Sequence, residues 1–158
     1  MRALLGIGTN LGDREENLAG AFSGLEKLPG TRLLAISNIY ETAPFDVLSE
    51  QGDYLNCCVL IETGLTPIEL LHSCLELEAG LGRVRGEYHG ARTMDIDLLV
   101  CEGAESCTEE LTLPHPGILE RAFVMVPMSD IFPGRNALGL DFAGAYEAVD
   151  KSGVRLYK

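Results

Sequence analysis

Asp95 and Asp97 stand one residue apart in Arg92-Thr93-Met94-Asp95-Ile96-Asp97-Leu98-Leu99-Val100, and their type and spacing point most directly to chemistry. Met94, Ile96, Leu98 and Val100 alternate with them and give the segment the period of a β-strand. Side chains alternate across a strand, so the two carboxylates share a face, roughly 6–7 Å apart along it. Carboxylates held on one face repel unless a positive charge lies between them. A hard divalent cation meets that need, and Mg2+ takes one or two carboxylates together with phosphate oxygens. Arg83, Arg85 and Arg92 stand just upstream, and a planar guanidinium suits forked contacts with phosphate. Acids for metal beside arginines for phosphate predict a Mg-nucleotide site.

The charge balance sharpens that reading. The chain of 158 residues has a formal net charge of -12, which argues against nucleic acid or an anionic membrane as partner. No Lys or Arg falls between Arg32 and Arg83, or between Arg92 and Arg121. Arg83, Arg85 and Arg92 therefore form a positive island in an acidic chain. No stretch is long and apolar enough to span a membrane, and the apolar start (Met1 to Gly8) reads as a strand rather than a signal peptide. The five cysteines show no CxxC or Cys/His ligand spacing, which fits reduced thiols in a cytoplasmic protein better than zinc.

The elements that must position these groups follow from local pattern. Residues 3–8 read as a strand. Asp13 and Glu16 form the start of a helix with Leu18, Phe22 and Leu25 at helical spacing and Gly30 closing it. Residues 32–41 read as a second strand, 42–53 as a long loop, and 54–63 as a strand with Leu55, Cys57, Val59 and Ile61 on one face and Tyr54 and Asn56 on the other. Thr66-Pro67-Ile68-Glu69 opens a helix that Gly80 ends, with Ile68, Leu71 and Leu75 as its buried stripe and Glu78 at the stripe's edge. A second long loop, 81–92, carries the arginines. Long loops are commonly functional, and both are expected to act as lids. A helix bent at Pro127 is expected over 118–130, a short one over 140–148, and a last strand over 154–157. The order β-α-β-β-α-β, followed by helices and a short strand, predicts a single α+β domain over 1–158 with a ferredoxin-like sheet and helices packed on it.

An ordered set of segments carries a resemblance. Gly8-Thr9-Asn10-Leu11-Gly12, Ser37-Asn38-Ile39-Tyr40-Glu41-Thr42-Ala43-Pro44, Asp53-Tyr54-Leu55-Asn56 and Gly82-Arg83-Val84-Arg85 come first. Gly90-Ala91-Arg92-Thr93-Met94-Asp95-Ile96-Asp97 and Leu113-Pro114-His115-Pro116 with Arg121-Ala122-Phe123 complete it. In this order and spacing the chain resembles the 6-hydroxymethyl-7,8-dihydropterin pyrophosphokinases of folate biosynthesis. The resemblance implies that ATP donates its β,γ-pyrophosphate to the hydroxymethyl group of a reduced pterin, releasing AMP. It implies that Asp95 and Asp97 hold two Mg2+ ions and that Arg83 and Arg92 are catalytic, gripping the triphosphate. Arg85, Leu98, Thr112, His115 and Arg121 would contact ATP. Tyr54 and Phe123 would stack on the pterin and Asn56 would read its rim, with the backbone of Thr42 and Pro44 helping. The chain departs from the family's common pattern at His89 (commonly Trp), Ala91 (commonly Pro) and Glu110 (often basic), and its arginine loop is one residue shorter. A monomer with small-molecule partners is expected.

Two other readings fit the acids and arginines. One is a Mg-nucleotide-binding module without catalysis. The other is a phosphohydrolase built on Asp-x-Asp, which leaves Tyr54, Asn56 and Phe123 without work.

Overall fold

The computed structural model describes residues 1–10, 12–43, 53–80 and 94–158. The chain runs β1 (Arg2–Thr9), α1 (Arg14–Glu26), β2 (Thr31–Ile36), β3 (Tyr40–Thr42), β4 (Tyr54–Thr63), α2 (Pro67–Gly80) and β5 (Asp95–Cys101). It continues through β6 (Ser106–Cys107), β7 (Thr112–Leu113), a 3-10 turn (Ile118–Glu120), α3 (Ala122–Ile131), β8 (Asn136–Ala137), β9 (Leu140–Asp141), α4 (Ala143–Ala148) and β10 (Val154–Leu156). The main sheet has the order β10-β3-β4-β1-β5, with β2 also pairing β4, and its ladders are antiparallel.

Strand periodicity sorts the apolar side chains into two cores. Leu5, Ile7, Leu55, Cys57, Val59, Ile61, Ile96 and Leu98 meet Leu18, Ala21 and Leu25 of α1 and Leu70 and Cys74 of α2. Leu4, Cys58, Leu99 and Val100 meet Val124, Met125 and Met128 of α3 and Phe142. Leu99 and Val100 are consecutive yet pack on the same side. The β1–β5 register shift between Leu4 and Leu5 explains this, because a bulge sends two neighbouring residues to one face.

The helix starts follow the sequence. The Asp13 side chain accepts the Glu16 N–H at 3.1 Å. Thr66 and Glu69 cap each other reciprocally: the Thr66 N–H donates to Glu69 Oε1 at 2.9 Å and the Glu69 N–H to Thr66 Oγ1 at 3.3 Å. Several boundaries differ. The strand expected over 32–41 is two strands, β2 and β3, separated at 37–39, where the Ser37 hydroxyl accepts the Cys58 N–H at 2.8 Å. α1 ends at Glu26, and Gly30 instead occupies the turn before β2 at φ +58°. The helix expected over 118–130 begins as the 3-10 turn and becomes α3 at Ala122, with Pro127 inside it. The 140–148 helix is β9 followed by α4.

The buried stripe of α2 is Leu70, Cys74 and Glu78, whereas Ile68 and Leu75 are exposed. The helix is apolar in two phases, and contact with β5 and α1 selects the Leu70 phase. Glu78 is buried rather than at an edge. Its Oε1 accepts the Ile96 N–H at 2.7 Å, on the open side of the sheet's terminal strand β5. His72, exposed on α2, pairs through Nε2 with Glu110 Oε1.

Candidate active site

The polar site is built on the sheet face that α3 covers only in part. Asp95 pairs across the ladder with Gly8, Gly8 with Asn56, and Asn56 with Tyr40, so one row crosses four strands. The next row runs Asp97, Gly6 and Cys58. Partners in register project to the same face, so both aspartates lie on the side of Asn56 and Tyr54. Asp95 is half-buried and Asp97 exposed. The acids therefore share a face as their spacing predicts.

Gly6 and Gly8 occupy the positions between the acid strand and the amide strand. A Cβ at Gly8 would lie 2.9 Å from Asn56 Oδ1 and 3.7 Å from Tyr54 Cδ1, and one at Gly6 would lie 3.2 Å from Leu99 Cδ1. The missing side chains leave the floor of the site to backbone. Gly8 opens the Gly8-Thr9-Asn10-Leu11-Gly12 segment, and its spacing from Gly6, at i and i+2 in one strand, marks a close approach on one face.

The amide side of the site is tightly held. Asn56 and Thr42 are both buried, and Asn56 Nδ2 donates to Thr42 Oγ1 at 2.7 Å. Two positions along, the Cys58 thiol faces the Val124 carbonyl at 3.7 Å. That contact seats the first turn of α3, with Phe123, over β4. Tyr54 and Phe123 thus reach the same side of the sheet.

His115 and Arg121 follow β7 in the chain. The His115 N–H donates to the Leu99 carbonyl at 2.8 Å, which ties the loop after β7 to β5. Its ring Nδ1 accepts the Gly117 N–H at 3.1 Å. The proton of the neutral ring therefore sits on Nε2, which is left as a donor. Burial holds the His115 pKa below its ordinary value, against the upward pull of Asp97, and the Arg121 charge adds to the lowering. Arg121 rests on Gly117, where a Cβ would come within 2.8 Å of its guanidinium carbon, and lies 6.0 Å from the centre of the Phe123 ring.

The remaining expected residues fall in two groups. Leu98 is buried on the other face of β5, in the core with Leu70 and Cys74, and Thr112 lies on β7 beside Leu111 and Leu113 of that core. Leu98 therefore does not lie on the acid face. Nearby, a cavity of about 680 Å³ runs between the start of α2 and the β6–β7 hairpin, lined by Thr66, Ile68, Glu105, Thr108, Leu111 and their neighbours. Arg83, Arg85, Arg92 and Pro44, and the two expected lids over most of their lengths, lie outside the described residues.

Fold and site define a class: a mixed α/β protein whose polar site sits on one face of an antiparallel sheet, between an amide-bearing strand and a pair of acids. The family model described as 7,8-dihydro-6-hydroxymethylpterin-pyrophosphokinase (HPPK) matches residues 4–133. A 2-amino-4-hydroxy-6-hydroxymethyldihydropteridine pyrophosphokinase from Methylorubrum extorquens is 45% identical over 153 residues, covering 97% of this chain and 96% of that relative. The Bacillus subtilis protein of the same name is 35% identical over 156 residues, covering 99% and 90%. Among solved structures, wild-type Plasmodium falciparum HPPK-DHPS with pteroate superposes with a TM-score of 0.70 at 14% identity. That match covers 92% of this chain and 44% of the longer one, and it speaks for the fold alone. The chain belongs to the 7,8-dihydro-6-hydroxymethylpterin-pyrophosphokinase family.

Proposed function

We infer that the chain transfers pyrophosphate from ATP to the hydroxymethyl group of 6-hydroxymethyl-7,8-dihydropterin, releasing AMP, as a step of folate biosynthesis. Family membership over residues 4–133 supports the reaction. The observation that carries the assignment of the site is the row Asp95–Gly8–Asn56. It sets an acid for metal and an amide for a heterocycle across one glycine.

Mg2+ fits these residues. The donors are oxygen-only, they share a face, and the glycines opposite them add no side chain in front. Among the described residues no group of three or more His, Cys, Asp or Glu is gathered, and Mg2+ takes few carboxylates and fills its other positions with phosphate oxygens and water. Asp95 and Asp97 would hold the two ions, which when bound neutralise the triphosphate's charge.

The protein's own groups do the positioning that phosphoryl-type transfer requires. Asn56 takes the polar edge of the pterin while Tyr54 and Phe123 cover its faces. His115 offers Nε2–H and Arg121 its guanidinium to phosphate oxygens. Arg83, Arg85 and Arg92 grip the triphosphate, and Arg83 and Arg92 steady charge developing on the bridging oxygen. Because β5 is the terminal strand, a nucleotide with its phosphates at Asp95 and Asp97 can turn round the sheet edge and place its base near Leu98 and Thr112. Thr42 and Pro44 contribute backbone at the pterin rim, and closure over both substrates limits hydrolysis.

The strand order β2-β4-β1-β5 supports a ferredoxin-like βαββαβ arrangement of one domain spanning 1–158. A monomer acting in the cytoplasm on small molecules is the setting we propose. Among the described residues no helix is long and apolar enough to cross a membrane.

The deciding assay follows AMP. Purified protein with ATP, Mg2+ and the hydroxymethyl-dihydropterin should release AMP, and omission of either Mg2+ or the pterin should stop it. Formation of ADP, or no turnover, would overturn the assignment. A nucleotide-binding module without catalysis would bind Mg-ATP and release nothing.

A further inference from the structure

Thr42 and Asn56 are diagonal neighbours on the site face, since the ladder pairs Thr42 with Tyr54 and Tyr40 with Asn56. The two residues are 7% and 8% exposed, and the 2.7 Å bond between them is shielded from water. A carboxamide has two N–H donors and one carbonyl acceptor. The bond to Thr42 takes one N–H and leaves the other, with Oδ1, for a ligand. On the far flank, Oδ1 lies where the missing Cβ of Gly8 would come within 2.9 Å. The amide is thus held between a hydroxyl on one strand and bare backbone on another.

We propose that Thr42 is a positioning residue for pterin recognition: its hydroxyl fixes the plane of the Asn56 carboxamide so that an acceptor and a donor face the lactam edge of the substrate together. The inference rests on the pterin reading of the site. The terminal torsion of Asn is broad, so an unrestrained amide samples orientations that lose one of the two contacts. A preset plane removes that cost before the substrate arrives. The role belongs to the Thr42 side chain and is separate from any contact its backbone makes.

The test is a double-mutant cycle read on the pterin. Thr42→Val keeps the shape and removes the acceptor. It should raise KM for the hydroxymethyl-dihydropterin roughly tenfold, the scale of one lost hydrogen bond, while KM for Mg-ATP holds. Thr42→Ser restores the hydroxyl and should stay within about twofold of the native KM. In an Asn56→Ala background Thr42→Val should add little, because its effect runs through the amide. The proposal falls if Thr42→Val leaves the pterin KM native, if Thr42→Ser is as impaired as Thr42→Val, or if Thr42→Val has its full effect without Asn56. An Asn56→Ala protein that handles the pterin normally would instead sink the pterin subsite itself, and Thr42's role with it. If Thr42→Val fails to fold, Thr42→Cys, with only a weak sulfur acceptor, takes its place in the same cycle.

Discussion

Tyr40 donates its phenol hydrogen to Asp130 Oδ2 at 2.7 Å, joining the start of β3 to the last turns of α3. The Asn38 N–H reaches the same oxygen at 3.2 Å. Tyr40 is also the register partner of Asn56, so this bond fixes the helix that carries Phe123 against the strand row that carries the amide. Burial, then the hydrogen bond and charge of Asp130, push the Tyr40 pKa up to about 12.

That shift has a sign. Above the ordinary tyrosine pKa of about 10 the unfolded chain loses the phenol proton while the folded chain keeps it. The folded state then binds more protons, and stability falls as pH rises from about 10 to about 12. Of the five tyrosines, Tyr40 should therefore titrate late in a phenolate absorbance experiment. Tyr40→Phe should remove that late step, soften the alkaline loss of stability, and cost about 1 kcal/mol at neutral pH. A phenol at this position titrating near its ordinary value would contradict the geometry.

Glu78 tests how β5 is held. Its carboxylate is buried and takes the Ile96 N–H, between the two acids of the site. Glu78→Ala leaves a buried donor without that partner and should destabilise by about 1–3 kcal/mol. Glu78→Gln keeps an acceptor and should recover most of it. Because Ile96 lies between Asp95 and Asp97, Glu78→Ala should also raise the Mg2+ concentration needed for half-maximal turnover. Chemical denaturation and a Mg2+ titration separate the two effects; an Ala variant as stable as the native chain would show the bond to be idle.

Gly8→Ala probes the bare floor. The new Cβ would come within 2.9 Å of Asn56 Oδ1, and the amide is pinned on its other side by Thr42. The pterin KM should rise several-fold while the ATP KM changes little, since one crowded amide contact is worth about 1 kcal/mol. Equal loss for both substrates would mean that the methyl group distorts the sheet instead.

Much of this could be read from the chain, for a reason particular to strands. A period of two puts Asp95 with Asp97 and Tyr54 with Asn56 whatever else surrounds them, and the reciprocal cap at Thr66 and Glu69 is local. What the chain hid depends on distant packing. Glu78 meets Ile96 only once α2 docks on β5, and Tyr40 meets Asp130 only across 90 residues. The α2 stripe is ambiguous in the chain because Ile68, Leu71 and Leu75 repeat at helical spacing as well as Leu70 and Cys74 do. Glu110 finds His72 as partner, a pairing that no local pattern announces.

Asp97→Asn bears on the chemistry itself. Asp97 is exposed, so the exchange removes charge with little packing cost. If Asp95 and Asp97 hold the ions, turnover should drop by roughly 10²–10³-fold, the scale of losing one preorganised electrostatic contact to the reacting group. Native protein should gain thermal stability from ATP with Mg2+ beyond that from ATP alone, because a ligand that binds only the folded state raises its stability. Asp97→Asn should lose most of that extra gain while still unfolding cooperatively. A variant with near-native turnover and the full Mg2+-dependent shift would remove Asp97 from the metal site and leave the acid pair as a feature of the strand alone.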